Sequence, residues 1–349
     1  MAVTNVIRAW NSYVLSVNSN PTIPPGASAG IGSIAIDSIG NVYTKTGVSD
    51  TSWTLSTSGG LQKGVKTIFC IDNGDYATLQ DAINAASNGD TILVGAKSGG
   101  WGNITIPAQL SINISGLQSP KAISVEVGTI TFSPNVGSAV QNTVYLSNLF
   151  INSASGNNLT FSGTAPARLR IAGCFLYNGG AGTTATVSNS GVGSSAYFEN
   201  CIILADSAVP VQFSISSVYT RIYYCTLDRG SVAMNVSGSF VECLESQFRV
   251  DVASSIINLT SSGVFSGTLN LISNSTTNGS GINLDASSTI VDVSNTYSIA
   301  TGTGYCLLGT GTQIYGPIIT TNSVAIPANV KIQNTIVRLP LTLTLTASP

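Results

Sequence analysis

A short apolar strand ending on a small or turn-forming residue recurs eleven times along this 349-residue chain. The copies read TILVG (91–95), INISG (112–116), VYLSN (144–148), LRIAG (169–173), AYFEN (196–200), TRIYY (220–224), ECLES (242–246), NLISN (270–274), VDVSN (291–295), TQIYG (312–316) and VKIQN (330–334). The last residue of each, the corner, is Asn or Gly in nine of the eleven, the residues that best tolerate a left-handed backbone. Two before it stand Leu93, Ile114, Leu146, Ile171, Phe198, Ile222, Leu244, Ile272, Val293, Ile314 and Ile332, all apolar. Successive corners lie 18–28 residues apart, with one interval of 32. That interval suits one coil of a parallel β-solenoid whose coils stack at about 4.8 Å. A hairpin sandwich would return its apolar positions within each strand pair, not once per coil length. The expected fold is therefore an all-β solenoid of about eleven coils over residues 61–337, a rod of roughly 50 Å.

One stretch departs from this pattern. In YATLQDAINAASNGD (76–90), Leu79, Ala82, Ile83 and Ala86 fall at the i, i+3, i+4, i+7 spacing of one helical face. Thr78 stands at the N-cap position with Asp81 three residues on. This predicts a helix over 78–87 that lies on the apolar end of the first coil, since a solenoid needs terminal caps. The longer stretch YATLQDAINAASNGDTILVGAKSGGWGNITIPAQLSINISG (76–116) resembles the opening segment of the pectin-lyase-like right-handed parallel β-helix proteins. The resemblance implies a single-stranded right-handed β-helix with a capping helix. Asn148, Asn200, Asn274, Asn295 and Asn334 resemble the asparagine ladder of that family. Stacked amides of this kind would hydrogen-bond one another and the turn backbone.

Cys174, Cys201 and Cys225 each come one residue after a corner in three successive copies. They predict a ladder of buried free thiols rather than disulfides, because side chains stacked in register point the same way. The chain has no histidine and no CxxC, so neither a metal site nor a cofactor is expected. Charged residues make up only 8% of the chain and the net charge is −2, which provides no basic patch for nucleic acid. Mean hydropathy is +0.32, yet no run approaches the ~18 apolar residues of a membrane span. The N-terminus lacks the apolar core of a secretory signal.

Residues 1–31 read as an extended N-terminal arm, with Ile7, Trp10, Tyr13 and Val14 as candidate anchors to a particle. Residues 32–60 read as a small β-hairpin module turning at Gly40-Asn41 and closed by Trp53. The segment GSIAIDSIGNVYTKTGVSDTSWTL (32–55) resembles a module of phage tail-fibre and other virion proteins. At 338–349, Leu341, Leu343 and Leu345 alternate with threonines, a terminal strand or tail whose apolar face needs cover from this chain or another subunit. The resemblances imply a virion appendage or capsid-associated protein. Its partners would be other virion proteins, further copies in a trimer or lattice, and a host-surface glycan or receptor. The competing reading is a glycan-degrading β-helix enzyme, and a solenoid adhesin stands behind it. Cleavage of a glycosidic bond by hydrolysis needs two carboxyls about 5–9.5 Å apart. The chain holds eleven Asp and four Glu, and the best constellation is Glu199 and Glu245 on the outer face with Tyr223 between them.

Overall fold

A computed structural model describes residues 42–55, 67–71, 76–117, 125–135, 141–154, 157–206, 211–250, 254–276, 279–293, 295–299 and 306–314. It also describes strands Val3–Ala9, Ser12–Val17, Ile34–Ile36, Ile318–Thr320, Lys331–Gln333 and Val337–Arg338. The chain divides into two units, 1–65 and 66–349.

The larger unit is a right-handed parallel β-helix built from three parallel sheets of twelve, ten and nine strands. Each coil contributes one strand to each sheet in that order, and eight coils carry all three. The sequence reading of eleven coils is too high because nearly every copy of the corner motif marks a strand of the twelve-stranded sheet, including strands at its ends. At its ends that sheet has strands from coils lacking one or both of the other two among the described residues. Stacked positions such as Leu146, Ile171, Phe198, Ile222, Cys243 and Gly267 are Cα partners in successive coils. Ten of the eleven copies lie in this sheet. NLISN is the exception, since Leu271–Asn274 belongs to the ten-stranded sheet and Val264–Thr268 takes the expected place. Two further copies are one residue out of register: Ile92 and Cys243 are buried in the places expected for Leu93 and Leu244. Val293 and Ile314 fall in the outward registers of Leu244 and Glu242.

The corner itself is a single left-handed residue. It is Asn148, Gly173, Asn200, Tyr224, Glu245 and Leu269 in successive coils, with φ between 45° and 61°. One such residue turns the chain between the twelve- and ten-stranded sheets without a loop. It also leaves the next backbone N–H without a strand partner, a group that must be satisfied inside. The residue after the corner satisfies it. Cys201 N–H meets Cys225 Sγ at 3.5 Å and Cys225 N–H meets Ser246 Oγ at 3.1 Å. Ser246 N–H then meets Asn270 Oδ1 at 2.9 Å, and Asn270 N–H meets Asn295 Oδ1 at 3.2 Å. The interior ladder is thus mixed: thiols at Cys174, Cys201 and Cys225, then a hydroxyl, then two amides, all buried. All six cysteines are free and buried, and burial pushes the Cys174 and Cys243 thiols well above their ordinary range.

The asparagines singled out from the sequence do not form one column. Asn148 and Asn200 are corners, whereas Asn295 is an interior rung. Asn274 ends a strand of the ten-stranded sheet, where its amide donates to Ser254 O at 2.9 Å and accepts from Thr276 N–H at 3.1 Å. Asn334 lies outside the described residues. Between the rungs the core is aliphatic and aromatic, with Phe132 and Phe161 stacked at 5.6 Å on consecutive coils.

The capping helix spans Leu79–Ala85, with Thr78 Oγ1 accepting from Asp81 N–H at 3.1 Å. Leu79, Ala82 and Ile83 are buried, and Ala86 is the C-cap, partly buried against the same core. A strand unseen in the sequence, Thr67–Cys70, precedes the helix and pairs with Thr91–Val94. Gln80 closes an edge: its Oε1 accepts from Thr105 N–H at 2.7 Å and its Nε2 donates to Thr105 O at 3.0 Å. The side-chain amide there replaces the neighbouring strand that the first strand of the nine-stranded sheet lacks.

The N-terminal unit is a five-stranded sheet, Val3–Ala9, Ser12–Val17, Ile34–Ile36, Val42–Lys45 and Trp53–Leu55 in that order. Residues 3–17 are therefore a paired hairpin and not an extended arm, with Ile7 opposite Val14 and Tyr13 opposite Arg8. The last three strands form an antiparallel meander in place of the expected single hairpin. Trp10 and the tail 339–349 lie outside the described residues.

Replacing Ile171 or Ile272 by Asp puts an unpaired charge at a fully buried position, which costs several kcal/mol. Both variants should fail to give soluble protein with a cooperative melt by circular dichroism. At the exposed corner Leu269, φ 55°, Leu269→Asn relieves part of the ~1–2 kcal/mol left-handed cost. Its melting temperature should rise by a few degrees.

Candidate functional site

The outer face of the twelve-stranded sheet gathers aromatic and charged side chains over five coils. Because each strand stacks in register on the last, Tyr145, Arg170, Tyr197, Arg221 and Glu242 form one outward column. Glu199 and Tyr223 stand beside it two residues further along their strands, and Arg168 and Tyr219 two residues before. Rings and guanidinium groups alternate. Arg170 lies over Tyr145 at 5.5 Å, and Arg221 lies over Tyr197 at 5.6 Å and Tyr219 at 5.2 Å.

Two carboxylates lock these cations in place. Arg170 Nη2 donates to Glu199 Oε2 at 2.7 Å, a largely exposed pair. Glu242 is held more tightly: Arg221 Nε donates to Oε2 at 3.0 Å, Tyr223 Oη donates to Oε1 at 2.7 Å, and Tyr219 Oη donates to Oε2. Partial burial by itself would raise the Glu242 pKa, but the two phenols and the guanidinium outweigh it and hold the carboxyl below its ordinary range. Burial and the same carboxylate push both Tyr219 and Tyr223 up. Its bond to Tyr219, together with the neighbouring acid, raises Arg221 further. At neutral pH the network is one anion, one cation and two intact phenols.

The structure does not assemble the carboxylate pair expected from the sequence. Glu199 is the last strand residue before its corner, but Glu245 is itself the corner, with φ 45°. Tyr223 is the register partner of Glu199 and Leu244, and its hydroxyl serves Glu242. The sequence pattern sets the corner of ECLES one residue late, and with it the whole outward register of that strand. Placing the left-handed residue at Glu245 brings Glu242 into line with Arg221 and Tyr197. Glu242 is thus the carboxylate that the sequence pattern misses. Among the described residues, no group of three or more Cys, Asp or Glu side chains is placed to hold a metal ion, and no helix is long and apolar enough to cross a membrane.

No family model matches this chain, and no curated protein matches it. Among solved structures it is similar to the tailspike protein of an Acinetobacter phage. The two are 12% identical with a TM-score of 0.47, over 93% of this chain and 70% of the other.

Because Glu242 has a lowered pKa in the folded chain, its contribution to stability is complete above the ordinary carboxylate range. That contribution is lost as pH falls through the lowered value. Glu242→Gln removes the charge that raises the two phenols. In an ultraviolet titration Tyr219 and Tyr223 should then ionise at lower pH than in the parent protein.

Proposed function

We propose that this chain is a structural protein of a virion, an appendage or capsid-associated β-helix, and that the Tyr–Arg–Glu face binds a glycan of the host surface. The face carries the reading. Tyr145 and Tyr197 recur two coils apart, about 9.6 Å, with the Arg170 guanidinium between them and that of Arg221 one coil beyond. Sugars present C–H faces that pack on aromatic rings and hydroxyls that bond to guanidinium and carboxylate. The internal ion pairs hold Arg170 and Arg221 in place before a ligand arrives, so little side-chain entropy is lost on binding. Support for the virion assignment comes from the opening segment at 76–116, which resembles the pectin-lyase-like β-helices. The segment at 32–55, with its resemblance to virion modules, supports it too.

Recognition without cleavage fits the carboxylates. Both oxygens of Glu242 are committed to donors and its pKa is lowered, the reverse of what a general acid needs. Self-association of the chain would cover an apolar stripe on the ten-stranded sheet. There Phe150 and Phe175 stack at 5.2 Å beside the half-exposed Ile202 in the next coil.

Glycan-array binding and isothermal titration test the reading. Tyr197→Ala and Arg170→Ala should each weaken binding by about tenfold, ~1.4 kcal/mol, without altering the melt. Purified particles should contain the chain at fixed stoichiometry. Depolymerisation of the bound polysaccharide by the parent protein, abolished in Glu199→Gln with Glu242→Gln, would replace attachment by catalysis.

A further inference from the structure

Three buried oxygens in successive coils have no protein hydrogen-bond partner: Asn158 Oδ1, Thr184 Oγ1 and Gln212 Oε1. Each residue immediately precedes a strand of the nine-stranded sheet: Leu159–Phe161, Ala185–Val187 and Phe213–Ser216. The first residues of those strands are Cα partners, so the three positions stand one above another. All three side chains are fully buried.

The two amides cannot be turned round. Asn158 Nδ2 donates to Ile151 O at 2.8 Å and Tyr177 O at 2.6 Å. Gln212 Nε2 donates to Asp228 O at 2.5 Å and Arg229 O at 2.6 Å. Rotating either would set its oxygen against two carbonyl oxygens. Two acceptors without hydrogens therefore flank one hydroxyl, whose single hydrogen can serve only one of them. No direct bond joins the hydroxyl to either amide oxygen. Two oxygens separated by one coil step of about 4.8 Å can both lie about 2.8 Å from a single molecule between them, at an angle of about 118°, close to the one water prefers.

We infer that two enclosed waters occupy this turn, one between Asn158 and Thr184 and one between Thr184 and Gln212. Each water donates to an amide oxygen. The Thr184 hydroxyl donates to one water and accepts from the other. The ligand is an uncharged donor because all three oxygens are neutral, and a cation there would give up its hydration for no compensating charge. These waters would brace the three coils that carry Tyr145, Arg170 and Tyr197 on their outer face.

A crystal structure of the full chain at water-resolving resolution tests this directly. Two peaks are expected, each within hydrogen-bond distance of Thr184 Oγ1 and of one amide oxygen. A Thr184 hydroxyl bonded straight to Asn158 or Gln212, with no peak, would overturn the inference. So would one peak with five or more oxygens at cation distances. Thr184→Val adds a second readout, since it keeps the shape and removes the hydroxyl. If the waters are present it leaves each one partner short, and the melting temperature should fall by several degrees. An unchanged or raised melting temperature would show that the hydroxyl was an unpaired burden.

Discussion

Everything in the larger unit depends on the hydrogen bonding of each strand to the strand one coil earlier. In a parallel ladder the side-chain period is two, so a one-residue slip would exchange core and surface along the whole coil. The helix avoids this by resetting its register at one left-handed residue per coil. That residue is Asn or Gly in some coils but Tyr224, Glu245 and Leu269 in others. The turn is imposed by the stacked strands on either side of it. Where the corner residue is a poor left-hander, the local cost of about 1–2 kcal/mol is offset by the ladders it allows to continue.

The same corner explains the chemistry of the interior. A lone left-handed residue strands the next backbone N–H, and the column from Cys201 to Asn295 exists to meet it. Thiol, hydroxyl and amide succeed one another because each reaches the same N–H from one coil away. Their order along the rod costs little as long as every rung finds an acceptor. The thiols are weak acceptors, so the ladder grows stronger toward the coils where Ser246, Asn270 and Asn295 take over.

Outside, the twelve-stranded sheet concentrates much of the charge of a sparsely charged chain. Arg170, Arg221, Glu199 and Glu242 are each held by a ring or an opposite charge. The nine-stranded sheet is quite different. Its outward column runs from Thr131, Thr160 and Thr186 to Ser214, Asn235 and Asn258, all short uncharged side chains, and Asn258 Nδ2 donates to Asn235 Oδ1 at 3.0 Å. One face of the larger unit thus carries a preorganised aromatic and charged column, and another carries a neutral one.

The solenoid, its coil length and its capping helix were legible in the residues themselves. An apolar position returning once per 18–28 residues fits a stacked coil and little else, and Leu79, Ala82 and Ile83 mark a helix with one face to bury. The register of individual coils was not legible at TILVG, ECLES, VDVSN and TQIYG, nor the sheet at NLISN, although Tyr224 of TRIYY is the corner that the pattern expects. At ECLES nothing local distinguishes Glu245 from Ser246, and only pairing with the strands above and below decides between them. That single step moves Glu242 into the outward column and takes Glu245 out of the expected carboxylate pair. The hairpin at 3–17 is hidden for a related reason, since its strands are defined by one another and by Ile34–Ile36 more than by any pattern of their own. Local sequence marked most strands of the twelve-stranded sheet and the helix that caps them. Which side chains meet across coils was decided by tertiary stacking alone, because those partners lie a full coil apart in the chain and are brought together only by the register of the ladder.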